Sequence, residues 1–169
     1  MKDMGLLHYF LGLEIWKRDG ELFASQGNYA KDILRKFHME SYKPMETHLP
    51  GNWRKEDATS GEVVDATIYV KLVGSLMYLV NSRPDIFYAV NQLSQAMVKL
   101  TKIFWKVGKH VLRYLRGNTE YGLWDRWTEG VKLQGFTDVD CVDNPSERKS
   151  TSKGIFSIES TKFSWYNKK

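Results

Sequence analysis

Residues 99–116 read KLTKIFWKVGKHVLRYLR. Lys99, Lys102, Lys106, Lys109, Arg113 and Arg116 recur at intervals of 3, 4, 3, 4 and 3 with no acidic residue among them. At ~100° per residue these six cations share one stripe about 100° wide. Leu100, Phe104, Val107, Val111 and Leu115 fill the adjacent stripe. The spacing predicts a basic amphipathic helix over 99–116 that Gly117-Asn118 stops. Gly108 falls in its interior, where glycine costs ~1 kcal/mol against alanine.

On the C-terminal side of Gly117 the period changes. Tyr121–Trp124, Val131–Thr137, Gly154–Ile158 and Lys162–Tyr166 read as four short strands, with turn signals at Glu129-Gly130 and Asn144-Pro145. On the N-terminal side, Pro84 is placed to open a helix carrying Ile86, Phe87, Val90, Leu93 and Met97. Ile68, Leu72, Val73, Leu76, Leu79 and Val80 make the face of another, over 66–80. Residues 40–62 hold Pro44, Pro50 and two glycines and read as a linker. Tyr29, Ile33, Leu34 and Phe37 predict a short helix over 28–39. Two apolar runs flanking Asp19-Gly20 predict a β-hairpin, and Gly12 within the first run marks a bulge or a close backbone approach. The order is hairpin, helices, then an unfinished sheet, which is an α+β arrangement.

Composition bounds the function. Of the 169 residues, 42% are hydrophobic, 14% aromatic and 27% charged, too apolar for a disordered chain. Lys and Arg number 25 against 20 Asp and Glu, a net charge of +5 that permits a polyanionic partner without demanding one. The one cysteine, Cys141, excludes an internal disulfide and a multi-cysteine zinc site, and fits a reducing, intracellular setting. No apolar run approaches the ~20 residues of a membrane span, and Leu6–Ile15 is too interrupted for a signal peptide. His8, His38, His48 and His110 show no ligand spacing. Asp140 and Asp143 beside Cys141 disfavour its thiolate, which argues against a nucleophile.

Long strings, in order along the chain, carry a resemblance: MKDMGLLHYFLGLEI (1–15), YVKLVGSLMYLVNSRPDIFYAVNQLSQAM (69–97), KHVLRYLRGNTEYGL (109–123) and GFTDVDCVDNPSERKSTSKGIFSIES (135–160), then SWYNKK. Together they resemble the C-terminal part of a copia-type retrotransposon Pol polyprotein. The resemblance implies that residues 1–130 are the end of a reverse transcriptase: primer-contacting hairpin, thumb and connection. It implies that residues 131–169 open an RNase H domain. The implied fold is an N-terminal β-hairpin, a central helical thumb- and connection-like region and an incomplete RNase H-like mixed sheet. Tyr9-Phe10-Leu11-Gly12 corresponds to the primer-contacting hairpin, with Tyr9 and Gly12 as contacts. Asp138 corresponds to the first RNase H metal-binding carboxylate. The sequence departs from the family pattern at Cys141 (Trp in the family), Lys153 (Gly), Phe104-Trp105 (His-Trp), Val107-Gly108 (Ala-Ala) and Val70 (Arg), a drift that resembles a sequence no longer under selection.

Polymerase chemistry needs aspartates around two metal ions, two of them in a Tyr-x-Asp-Asp hairpin. This chain contains no Asp-Asp pair and starts downstream of that hairpin in the resemblance, so the fragment is expected not to polymerise. RNase H needs about four carboxylates around two metals, and the family supplies the later ones beyond residue 169. Asp138 is then the lone remnant, either a weak Mg²⁺ ligand with Asp140 or a solvated acid at a strand end. The parent enzyme uses Mg²⁺; no cofactor is expected for the fragment.

The stripe from Lys99 to Arg116 reads as a solvated face, as phosphate contacts to a primer–template duplex of RNA or DNA, or as a surface for membrane or protein. Unpaired strands predict self-association, and the remainder of the polyprotein is the expected natural partner. The alternative to an inactive polyprotein fragment is a domesticated small basic module that binds nucleic acid or protein without catalysis.

Overall fold

A computed structural model describes residues 5, 7–53, 65–98, 100–127, 130, 132–140, 151–159 and 161–168. The chain divides into two compact units. One comprises Met1–Phe10, Ile15–Ala24 and Leu123–Lys169, and the other Leu11–Glu14 and Ser25–Gly122. The N-terminal hairpin is thus grouped with the C-terminal strands, and the division falls after Gly122.

The second unit is helical, with α1 (Gly27–Lys36), α2 (Ala66–Leu79), α3 (Phe87–Ser94) and α4 (Lys102–Gly117). Its core is mostly aliphatic, with Tyr69 and Phe104 also covered: Ile33 and Leu34 of α1, Leu72, Val73, Leu76 and Leu79 of α2, Val90 and Leu93 of α3, and Val111, Leu112 and Leu115 of α4 are all buried. α1 stops earlier than its apolar spacing predicts because His38 takes a left-handed φ of 54°. The His38 N–H then donates to the Arg35 carbonyl at 3.0 Å and the Met39 N–H to the Leu34 carbonyl at 2.8 Å, the paired bonds of a Schellman stop. The Asp65 carboxylate accepts from the Thr67 N–H at 2.8 Å and caps α2. Pro84 opens a short 3₁₀ turn, Pro84–Ile86, that leads into α3. A second such turn over Gln95–Val98 ends α3 before Met97. Gly108 earns its place in α4: a Cβ there would sit 2.9 Å from Leu72 Cδ2, so its absence lets α2 and α4 approach.

The link between α2 and α3 buries a charge. Arg83 is 2% exposed. Its Nε and Nη2 donate to the two Asp85 carboxylate oxygens at 2.8 and 2.7 Å, and its Nη1 donates to the Asn118 carbonyl at 2.8 Å. The guanidinium lies 5.3 Å from the Tyr121 ring centre, and the Tyr114 hydroxyl donates to Asp85 Oδ2 at 3.0 Å. Burial alone would raise the Asp85 carboxyl, but the hydrogen bonds and charge of Arg83 outweigh it and hold Asp85 below its ordinary value.

The first unit is built from strands. β1 (Tyr9–Phe10), β2 (Leu13–Arg18), β3 (Glu21–Ser25) and β4 (Gly122–Arg126) form one sheet in that order. The Asp19-Gly20 turn joins β2 to β3, with Gly20 at φ 74°. β5 (Leu133–Asp140), β6 (Thr151–Ile158) and β7 (Thr161–Lys168) form a second sheet. Both sheets are antiparallel. The mixed sheet expected from the resemblance is therefore not what these three strands form. β6 and β7 are separated by two residues, and a parallel pairing would need a crossover of a dozen or more. Gly154 lies under the Tyr166 ring and Gly135 under Phe156, so aromatic side chains cover backbone that carries no Cβ. Leu133, Phe136, Ile158 and Phe163 of this sheet are exposed.

Candidate nucleic-acid interface

The basic stripe folds largely as its spacing predicts, but its members are not equivalent. Lys99 lies outside the described residues. Lys102 and Lys106 are exposed on the first turns of α4. Lys109 is half-buried, its Nζ 5.4 Å from the centre of the Trp105 ring in a cation–π contact. The C-terminal pair is committed to the protein itself. Arg113 Nε donates to the Lys43 carbonyl at 2.8 Å, and Arg116 Nε donates to the Glu40 carbonyl. The Met45 N–H donates to the Arg113 carbonyl at 3.2 Å, and His110 Nε2 lies 3.0 Å from the Thr47 carbonyl. Burial holds the His110 ring below its ordinary pKa despite that bond. α4 thus uses its last two turns to hold residues 40–47, while Lys102 and Lys106 are exposed and Lys109 is half-buried against Trp105.

Residues 11 and 12, where the resemblance implies a primer-contacting hairpin, form the turn between β1 and β2. Leu11 and Gly12 both have positive φ, 49° and 76°, the signature of a primed two-residue turn. The Tyr78 hydroxyl donates to the Leu11 carbonyl at 2.7 Å. A Cβ on Gly12 would stand 2.8 Å from that hydroxyl, so the glycine is demanded twice, by its backbone angle and by Tyr78. Tyr9, Phe10 and Leu11 are 58%, 49% and 74% exposed, an apolar tip on a fixed turn. The close approach at Gly12 matches the sequence expectation, but nothing in the local pattern singled out Tyr78 as the group that approaches.

Asp138 lies on β5, exposed and directly opposite Lys153 of β6, which in turn faces Asn167 of β7. Lys153 Nζ stands 3.9 Å from Asp138 Oδ2. Among the described residues no three His, Cys, Asp or Glu side chains come together to hold a metal ion. Cys141 and Asp143 lie outside the described residues, as does the side chain of Asp140. Asp138 by itself offers one exposed carboxylate, and a divalent ion wants several oxygen ligands.

Comparison with known proteins bears on what such a chain is. No family model matches it, and no solved structure does. Among curated proteins it is 35% identical over 169 residues to the retrovirus-related Pol polyprotein from transposon RE2 of Arabidopsis thaliana, covering all of this chain. It is 33% identical over 177 residues to the Pol polyprotein from transposon TNT 1-94 of Nicotiana tabacum, covering 99% of this chain. The chain belongs to the retrovirus-related Pol polyproteins of copia-type transposons. It spans 12% and 13% of those two Pol relatives. An uncharacterized mitochondrial protein of Arabidopsis thaliana, AtMg00810, is 39% identical over 152 residues, 90% of this chain and 63% of that protein. Among the described residues of this Pol chain no helix is long and apolar enough to cross a membrane.

Proposed function

We propose that the chain is the part of a copia-type Pol polyprotein that follows the polymerase palm, and that it grips primer–template duplex without performing chemistry by itself. The observation that carries this reading is α4, which exposes Lys102 and Lys106 and sets Lys109 on the same basic stripe, on a chain whose whole length aligns with part of a Pol polyprotein. Three ammonium groups on one helical face suit phosphates, which accept point charges without regard to base sequence. The fixed, apolar Tyr9–Gly12 turn supports a second contact, against sugar and base at the primer end. Residues 131–169 are read as the opening strands of an RNase H domain, with Asp138 in the position of its first carboxylate. With Lys153 at its side, that carboxylate is assigned no catalytic step here.

The test is binding of a labelled RNA–DNA hybrid over a salt series. Three phosphate contacts give a log–log slope of about −2.7. The K102E/K106E/K109E variant should lose most of the affinity and flatten that slope. Unchanged binding in the triple variant would overturn the reading. Primer extension and hybrid cleavage should both be absent with Mg²⁺ or Mn²⁺; cleavage abolished by Asp138→Asn would overturn the proposed silence.

A further inference from the structure

Among the described residues β5 pairs on one side only, with β6. The register runs from Leu133 opposite Ile158 to Asp140 opposite Thr151 without a shift. The Glu159 N–H donates to the Lys132 carbonyl at 2.9 Å, which fixes the alternation of the ladder. Even-numbered residues of β5 turn their N–H and C=O toward β6. Leu133, Gly135, Thr137 and Val139 turn theirs to the open edge. Residues 133 and 135–137 are exposed. An open edge strand is ordinarily blunted by a proline, a bulge or an unmatched charge, and β5 has neither proline nor bulge.

The charges of this edge are matched to themselves. Residues 132–140 read KLQGFTDVD. Set against its own reverse about Phe136, the stretch places Lys132 opposite Asp140, Leu133 opposite Val139, Gln134 opposite Asp138 and Gly135 opposite Thr137. A base meets an acid at each end, an apolar residue meets an apolar residue, and Phe136 meets its own copy. The hydrogen-bond phase agrees. Both members of the 133–139 and 135–137 pairs have their main-chain groups at the open edge, so each pair can exchange its N–H···O bonds. Phe136, whose N–H and C=O face β6, falls at the non-hydrogen-bonded position, where side chains come closest. An axis at Asp138 would set acid against acid. β7, the other edge of the sheet, lacks this symmetry: paired on itself about Trp165, it would set Lys162 opposite Lys168.

We propose that β5 is a dimerisation edge: it pairs antiparallel with β5 of a second copy of this chain about a two-fold axis at Phe136, joining the two three-stranded sheets edge to edge. The interface is isologous, so every contact away from the axis occurs twice. It draws Leu133 and Phe136, 66% and 57% exposed in the single chain, against apolar and aromatic partners. An unrelated strand could satisfy the open N–H and C=O groups, but the order of base, apolar, aromatic and acidic residues along β5 is complementary to β5 itself. The dimer rests on the β5–β6 register and does not depend on the α4 reading.

Sedimentation velocity of the full chain between about 1 and 200 µM, the range in which a small interface associates, should show a monomer–dimer equilibrium. T137P removes an outward N–H that β6 does not use and should abolish the dimer. K132E turns two attractive pairs into two repulsive ones and should raise the dimer dissociation constant about fivefold or more. K132E/D140K exchanges the signs of both ends and should return it to within about threefold of the parent. In a C141S background, F136C should form an intermolecular disulfide with copper–phenanthroline, because the axis brings residue 136 beside its own copy. L133C, about 20 Å from its copy in this register, should form little. Circular dichroism of each variant, in dilute solution, checks folding. A parent that stays monomeric throughout the range overturns the proposal. So does a dimer that K132E leaves unchanged, or that K132E/D140K weakens as much as K132E alone, because its contact then lies on another surface. Equal crosslinking of F136C and L133C overturns the register and the proposal with it.

Discussion

Replacing Asp85 by asparagine keeps the size of the side chain and removes its charge. Arg83, 2% exposed, would then keep the Asn118 carbonyl and the Tyr121 ring but lose the carboxylate that takes two of its N–H groups. An uncompensated buried charge of this kind costs about 3–5 kcal/mol. With a urea m-value of about 2 kcal/mol/M, the midpoint should fall by about 2 M. R83M should cost less, about 1–3 kcal/mol, because Asp85 is part-exposed and still accepts from Tyr114. The double variant R83M/D85L should recover most of the loss, since an apolar pair in place of a buried ion pair is often neutral. Urea unfolding followed by far-ultraviolet circular dichroism reads all three. A D85N loss below about 1 kcal/mol, or a double variant no better than D85N, would refute the claim that this pair is a matched buried charge. The pH dependence has a definite sign. Asp85 is depressed in the folded state, so its contribution is present above the unfolded carboxyl value of about 3.9 and is lost as pH falls from there through the folded one.

Gly12→Ala should destabilise by about 1–2 kcal/mol through its left-handed φ and the Tyr78 hydroxyl, and Tyr78→Phe in the same background should relieve part of that in urea unfolding. R113Q/R116Q should loosen residues 40–43 from α4, accelerating tryptic cleavage after Lys43 while leaving helical content unchanged. Tyr114 is pushed up to about 12 by burial and then by Asp85, so the stability it lends is full below about pH 10 and declines as pH rises through 10 to 12; phenolate absorbance should track the loss. Amides of β5–β7 should exchange faster than those of α2 and α4, because the sheet leaves Leu133, Phe136 and Phe163 exposed while Leu72 and Val111 are fully covered; equal protection would contradict this.

Local structure was legible in the sequence wherever it depends on periodicity. All four helices among the described residues and the hairpin at Asp19-Gly20 follow from apolar spacing and turn residues. What the sequence hid are pairings across long separations. That β4 joins the sheet of β1–β3, about a hundred residues away, is set by tertiary packing and leaves no local trace. The six-cation register looked uniform because periodicity reports which face a residue occupies, not what waits there. Two of its arginines meet the carbonyls of Glu40 and Lys43. Asp138 was legible as a strand carboxylate, but its ammonium neighbour follows from a β5–β6 register that residue spacing does not fix. The buried Arg83 ran against the usual exposure of arginine, and Asp85 two residues on was its available signal.

The division of labour along α4 sets a footprint. Lys102 to Lys109 spans seven residues, about 10 Å at the helical rise. Phosphates on one strand of a duplex recur about every 3.4 Å along the axis, so in the proposed duplex complex the lysines would reach about three of them. A contact patch that short holds no more than a third of a helical turn and carries no information about where along the duplex it sits. A strand advancing one nucleotide presents the same patch with the same spacing. The proposed grip would resist detachment without resisting translocation.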